Sequence, residues 1–353
     1  MGDPAQLFRV ASGVVRQDSP RAPANLYPAM QTLLSWSVSG LALALMLAGA
    51  GRIAWHAPKS PTDDLPKVRG DCQSCHPNEA KDWAESRHAA AWESESFAQT
   101  SRNRTLKMCL PCHAPEPILV KGFGEHPALR EDERPHGIDC ISCHQDANNA
   151  YHGTLGTKTD AHATVKNEKF GTVDMCATCH EIFGTVDWYK QSEWGKDPNG
   201  CVNCHMPVVE RPIATGDGLP ARKARIHKFE GATPEMFQKG VKMSHERRDD
   251  YLQIKLESVW VGHTVPTGPE YVVVIVEAQF MDGERAVGKH QTLLADNVAI
   301  DGNDTRLKPG ERRVIRAPIP DGAKEAIVRV LHKRNRDWSD DKARVLYEAK
   351  VAL

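Results

Sequence analysis

The sequence predicts an α + β multidomain protein: a mostly helical and irregular domain, then an all-β sandwich, preceded by one membrane helix or signal segment. Three observations predict it. All ten cysteines lie between Cys72 and Cys204, in five Cys-x-x-Cys-His pentads. From about Asp250 the chain changes to alternating and β-branched runs and carries no cysteine. Between Ala22 and Gly51 there is no charged residue.

With 353 residues, the chain has room for two or three domains. At 40% hydrophobic it is too apolar for a disordered chain, and at 26% charged it is too polar for a multi-span membrane protein. A net charge of −1 argues against nucleic acid as a partner. Residues 1–29 are polar and Pro-rich and read as disordered. Residues 30–51 read as a membrane anchor or signal peptide. Thr32–Ala50 is nearly the 20 or so apolar residues a spanning helix needs. Arg9, Arg16 and Arg21 precede it, which sets the N-terminus inside and the remainder outside. The cleaved alternative rests on Ala48-Gly49-Ala50, a small-residue cleavage pattern. The long preceding region favours the anchor. Residues 52–69, with mixed charge and prolines, form a linker.

Residues 70–247 hold the pentads: Cys72, Cys75 and His76; Cys109, Cys112 and His113; Cys140, Cys143 and His144; Cys176, Cys179 and His180; Cys201, Cys204 and His205. No cysteine is left over. Zinc ribbons and redox dithiols use Cys-x-x-Cys, but neither requires the following histidine five times. Disulfide frameworks use irregular spacings. The pattern is the attachment signature of haem c, with two thiols bonding the porphyrin and the adjacent histidine binding iron. Five covalent haems follow. With about 27 residues per haem, side chains alone cannot enclose each porphyrin, so haems must pack on one another and serve as the core. Each oxidised haem adds about +1 at iron and −2 from its two propionates, which would move the net charge to about −6. Within this domain Asn78–Ala98 has helical spacing, with Trp83, Ala84, His88 and Trp92 on one side. Gly- and Pro-rich loops separate the pentads, which recur at 25 to 37 residues and are no strict repeat.

Residues 248–353 form the β domain. Strands are expected over Tyr251–Val261, Tyr271–Phe280, Val314–Ile319, Ala326–Leu331 and Val345–Val351, with a hairpin turn at Met281–Glu284. The size suits a sandwich of about 100 residues. Acidic turns at Asp282–Glu284 and Asp301–Asp304 are read as turn chemistry rather than calcium ligands.

Sixteen histidines less five proximal ones leave eleven to supply distal ligands. His88 lies beyond the first pentad beside Ala89–Ala91, and His152 closely follows the third. His227 sits in the basic stretch Arg222–Lys228, and His263 precedes Pro266 and Gly268 in a loop that opens the β domain. These four are the first candidates. His136, His126, His162 and His245 compete for the fifth place, with His136 favoured because it precedes a pentad in a Pro/Gly-bounded loop. His56, His290 and His332 lie outside the haem region, and Met206 is read as packing. All-histidine ligation would give low potentials, since methionine raises them.

Asp71-Cys-Gln-Ser-Cys-His76, Trp83-Ala-Glu-Ser-Arg-His-Ala89, Gly137-Ile-Asp-Cys-Ile-Ser-Cys-His144 and Ile226-His-Lys-Phe-Glu-Gly231 carry a resemblance. Residues 70 to about 245 resemble the multihaem cytochrome family that contains the tetrahaem c-554-type electron carrier. The resemblance implies distal roles for His88, His152 and His227. Gly262-His-Thr-Val-Pro-Thr-Gly268 and Asp304-Thr-Arg-Leu-Lys-Pro-Gly-Glu311 are similar to a β domain appended to several exported multihaem cytochromes, which implies that His263 is a ligand. The fifth pentad and the β domain depart from the tetrahaem pattern.

The expected function is an exported electron carrier, outside the cytoplasm and anchored in the inner membrane or soluble after cleavage, relaying electrons between a redox-protein donor and acceptor. The alternative is an oxidoreductase acting on a small nitrogen or sulfur oxyanion at one open haem, which needs a vacant axial position and groups for acid–base work and anion binding. A third reading makes the β domain the docking element. The sequence shows no residue set that reads as catalytic.

Overall fold

The computed structural model describes residues 66–216 and 219–353. The segments expected at 1–29 and 30–51, and most of the linker, lie outside the described residues. Among the described residues no helix is long and apolar enough to cross a membrane.

The pentad half is built of short helices and loops. Arg69–Ser74 forms a 3-10 turn that carries Cys72, and His76 stands before α1 (Pro77–Ala84) with Pro77 as its first residue. Then come α2 (Glu95–Thr100), α3 (Leu110–His113), α4 (Cys140–His144), α5 (Val173–His180), α6 (Thr185–Gln191) and α7 (Gly200–His205). The last four pentads thus ride on helices that end at the pentad histidine. Cysteines three apart share a helix face, so both thiols of a pentad present to the same side. Asp139 caps α4 by accepting from Ser142 N at 3.0 Å, and Arg69 Nη2 donates to Asp139 Oδ1 at 2.8 Å, tying the first pentad to the third. Two short ribbons complete this half: β1 (Tyr151–Gly153) beside β2 (Thr164–Lys166), and β3 (Val208–Arg211) beside β4 (Arg222–Arg225).

The stretch of helical spacing over 78–98 is broken into two short helices. Ser86 Oγ accepts from Ala89 N at 3.2 Å, a local bond that competes with the helical ladder. Ile138 N donates to His88 O at 3.0 Å, taking a carbonyl the helix would use. Ser94 Oγ then accepts from Phe97 N at 3.1 Å and starts α2. Gly137 makes the close approach possible. It has φ +59°, and a Cβ there would stand 2.4 Å from His88 O.

After α8 (Pro234–Gly240), capped by Thr233, the chain enters a two-sheet sandwich. The first sheet has β5 (Val241–Arg247) and β6 (Tyr251–Ser258); the second has β7 (Val273–Asp282) and β8 (Arg285–Leu294). A minor ribbon of β9 (Asp296–Asn297) and β10 (Asn303–Asp304) flanks α9 (Val298–Asp301). Next come β11 (Arg312–Pro318), β12 (Glu325–Lys333) and β13 (Arg344–Ala352). The sheet orders are β11-β6-β5 and β13-β12-β7-β8, all pairs antiparallel. Alternate residues face inward: Leu252, Ile254 and Leu256 of β6 meet Val274, Val276, Ala278 and Phe280 of β7 and Ala326, Val328 and Val330 of β12. The β7–β8 turn falls at Gly283 and Glu284, where Gly283 takes φ +61°. The domain boundary expected at 247/248 falls inside the β5–β6 hairpin. Val241 through Arg247 pair with Ser258 through Leu252, so the sheet starts earlier than the change in sequence pattern suggests.

Candidate haem attachment and axial-ligand sites

The ten cysteines are free thiols rather than disulfides. Those of different pentads come close. Cys72 lies beside Cys140, Cys112 beside Cys179 and Cys176 beside Cys201, each pair near enough to perturb its proton affinity. Cys143 adds its influence on both Cys176 and Cys179. The attachment sites therefore form one connected group: first to third, third to fourth, and fourth to both second and fifth.

Four of the five pentad histidines are oriented by the backbone. His76 Nδ1 donates to Ile213 O at 2.5 Å, His113 Nδ1 to Ala91 O at 2.8 Å and His144 Nδ1 to His152 O at 2.8 Å. His205 Nδ1 bonds Glu230 O. A carbonyl accepts only from N–H, so each bond places the proton on Nδ1 and leaves the Nε2 lone pair for a metal.

A metal–imidazole bond is about 2 Å long and each ring centre stands roughly 1 Å behind its donor nitrogen, so two axial rings sit about 6 Å apart. Four pentad histidines face a second ring at that separation. His76 faces His162 at 6.3 Å, His180 faces His88 at 6.2 Å, His144 faces His227 at 6.3 Å and His205 faces His263 at 6.1 Å. Burial first, then neighbouring histidines, push His88 down to about 3. Burial likewise takes His227 and His263 down to about 4. All three are held as neutral imidazoles, the form that binds iron. His227 Nδ1 donates to Arg225 O and His263 Nδ1 to Thr264 O, both at 2.9 Å. The His227 segment is pinned further by Asp82 Oδ2, which accepts from His227 N at 3.2 Å and from Arg211 Nη2 at 2.6 Å. These residues fit a set of haems c.

His113 differs. Among the described residues no histidine ring faces it at that separation. Phe97 stacks on it instead, with centroids 3.6 Å apart and planes 5° from parallel.

Two sequence candidates stand elsewhere. His152 faces no pentad histidine: its Nε2 is 2.9 Å from Asp146 Oδ2 and its Nδ1 is 3.2 Å from Asn167 Nδ2, so both ring nitrogens are engaged. Its carbonyl, not its ring, serves the site by orienting His144. His136 lies on the 3-10 turn Arg134–His136 with Nε2 3.9 Å from Glu133 Oε1, and faces no pentad ring. His162 takes the position opposite His76. It follows a loop with no pentad-relative spacing to mark it, and only the histidine count kept it in view. Of the other competitors, His126 lies beside Cys112, and His245 packs against Tyr347 at 5.6 Å. The acidic turns are neutralised by side chains: Asp304 by Arg306 at 2.8 Å, and Asp282 by Lys324 at 2.8 Å and Arg285 at 3.2 Å.

Residues 71–145, which span the first three pentads, match the family described as cytochrome c554 and c-prime. The fold is similar to a penta-heme cytochrome c552 from Thermochromatium tepidum, with a TM-score of 0.55 at 17% identity over 80% of this chain and 97% of that one. No curated protein matches. The family match is confined to residues 71–145, and the likeness to the penta-heme cytochrome is one of fold.

Proposed function

We propose that this chain is a multihaem c-type cytochrome, an exported pentahaem protein relaying electrons between a redox-protein donor and acceptor. One observation carries the reading: four pentad histidines each meet a second histidine ring at 6.1–6.3 Å. The axial set is then His76 with His162, His144 with His227, His180 with His88 and His205 with His263. Haem would supply one-electron chemistry when bound; four histidine pairs would hold their irons from both sides, and the attachment sites lie near one another. The route runs from the first site through the third and fourth, and branches there to the second and fifth. Export follows from the chemistry of haem attachment, which is completed outside the cytoplasm. Anchoring through residues 30–51 is part of this proposal and is tested by the size of the mature chain in membranes: a start near Gly51 refutes it.

A second reading has a specific observation behind it. His113 has no facing histidine among the described residues, which leaves room for a small oxyanion to be oxidised or reduced there. Electron paramagnetic resonance of the oxidised holoprotein, paired with reoxidation of the reduced protein by nitrite, separates the two. A carrier gives four low-spin bis-histidine signals and no turnover. Catalytic reoxidation by nitrite would make the protein an oxidoreductase, and fewer than four low-spin signals would refute the ligand set.

A further inference from the structure

Arg87, Arg334 and Arg344 gather around His332, where the β domain meets the second attachment site. His332 of β12 lies directly across from Arg344 of β13. Arg334 follows the end of β12, and its carbonyl accepts from Ser96 Oγ at 3.1 Å. Ser96 precedes Phe97, whose ring stacks on His113. Arg87 is near enough for its charge to act on His113, His332 and Arg334. The hairpin tip is fixed to α2 by Trp338 Nε1 donating to Gln99 Oε1 at 2.6 Å and by Lys342 Nζ on Glu95 Oε1 at 2.8 Å.

This group lacks a counter-charge. Among the described residues none of the three guanidiniums pairs with a carboxylate, and Glu95 is already taken by Lys342. Burial pushes Arg334 down to about 10, followed by the charges of Arg87 and Arg344. Burial and the same three arginines push His332 down to about 4. Like charges drawn together and partly stripped of water are unfavourable unless an anion compensates them. Guanidiniums are the groups best shaped to hold an oxyanion through paired N–H donors.

We propose that Arg87, Arg334, Arg344 and His332 form a binding site for an oxyanion beside the haem attached by Cys109 and Cys112. This rests on that haem being present with His113 as its ligand. Two sources share the chemistry: a free small oxyanion approaching the iron, and a propionate of a neighbouring haem. The site puts the β domain to use, since two of the arginines and the histidine come from its β12–β13 hairpin.

The test uses holoprotein with Arg334→Gln and, separately, Arg344→Gln. Arg344 is exposed, so its variant reads the same site if Arg334→Gln does not fold. Three measurements are made: a nitrite titration of the oxidised protein, carbon monoxide binding to the reduced protein as a neutral probe, and a redox titration. For a free oxyanion, nitrite binding weakens by about tenfold while carbon monoxide binding is unchanged. For a propionate, nitrite binding is unchanged and one midpoint potential falls, because removing positive charge favours the oxidised haem. Either result supports the site. Unchanged nitrite binding together with unchanged potentials overturns it. Failure of carbon monoxide to bind wild type refutes the open iron alone, and the redox titration still reads the site.

Discussion

The two halves of the described chain solve the problem of a core differently. In the C-terminal sandwich, alternate residues of every main strand enter one aliphatic cluster, with Leu252, Ile254, Ala278 and Val330 fully buried. The pentad half has two small clusters, one around Trp92 and Phe97 and one around Val186 and Tyr189. Its most buried large side chain is a cation. Arg130 donates to the carbonyls of Asp132, Pro115, Glu133 and Gly137 at 2.8–3.2 Å, stitching loops rather than filling a core. A chain that buries so little apolar surface of its own cannot offset the entropy of ordering its loops. The difference teaches that the pentad half is shaped around its haems, and that its stability is inseparable from them.

The largest effect should come from denying the protein its haem. Produced in a reducing cytoplasm, where attachment does not occur, residues 66–232 should stay unfolded while 233–353 keep the two-sheet fold. Limited proteolysis read by mass spectrometry would check this: the expected product is a resistant C-terminal fragment starting near Thr233. A resistant pentad half would contradict the contrast between the two cores.

Single side chains should divide the same way. Phe280→Ala removes a ring that is 1% exposed at the centre of the sandwich, and should cost about 3–5 kcal/mol whether or not haem is attached. Phe97→Ala should cost a comparable amount in the holoprotein and nothing without haem, because its surroundings would already be unfolded. Denaturant melts of both variants in both states measure the four numbers.

How much of this was legible in the sequence follows the same line. The sandwich was readable because period-two alternation reports a side-chain core directly; Tyr251, Val345 and the Gly283 turn fall where the pattern puts them. Strand β5 was not, since its edge residues His245, Glu246 and Arg247 carry no apolar alternation and fall within the span assigned to the pentads. The five pentads are legible from spacing alone. Their partners are not. Which ring faces a pentad histidine depends on how distant loops pack, and that long-range geometry leaves no local periodicity. So the sequence offers His162 as one of four candidates, and His152 gives His144 its carbonyl rather than its ring. The helix over 78–98 failed for a related reason: tertiary bonds at Ser86 and His88 overrode a local pattern.

The polar stitching of the pentad half also predicts where acid acts first. Burial alone would raise the Asp139 carboxyl. The Arg69 hydrogen bond and charge, with the Ser142 donors, outweigh it and hold Asp139 below the ordinary carboxylate range. A depressed carboxyl contributes fully above its unfolded pKa, near 4, and loses that contribution as pH falls through the lower folded value. Asp139→Asn should therefore cost about 3 kcal/mol at pH 7 and less as pH falls below 4, with the loss confined to the pentad half. Hydrogen exchange at both pH values resolves the halves. Equal losses in the sandwich would mean the two are one cooperative unit.

The smallest effects separate the two histidines that the sequence and the structure rank differently. His162→Ala removes a ring that faces His76 and packs on Tyr151 at 4.9 Å, while the backbone bond from Tyr151 N to Ala163 O remains, so stability should change by about 1 kcal/mol. The spectrum should change much more, with one low-spin signal replaced by a high-spin one. His152→Ala removes a ring engaged by Asp146 and Asn167 but keeps the carbonyl that orients His144. Every iron should then stay low-spin where it was, and the third site's potential should move only slightly through the nearby Asp146 charge. The reverse pattern, a new high-spin signal in His152→Ala and none in His162→Ala, would return the distal role to His152 and undo the pairing at the first site.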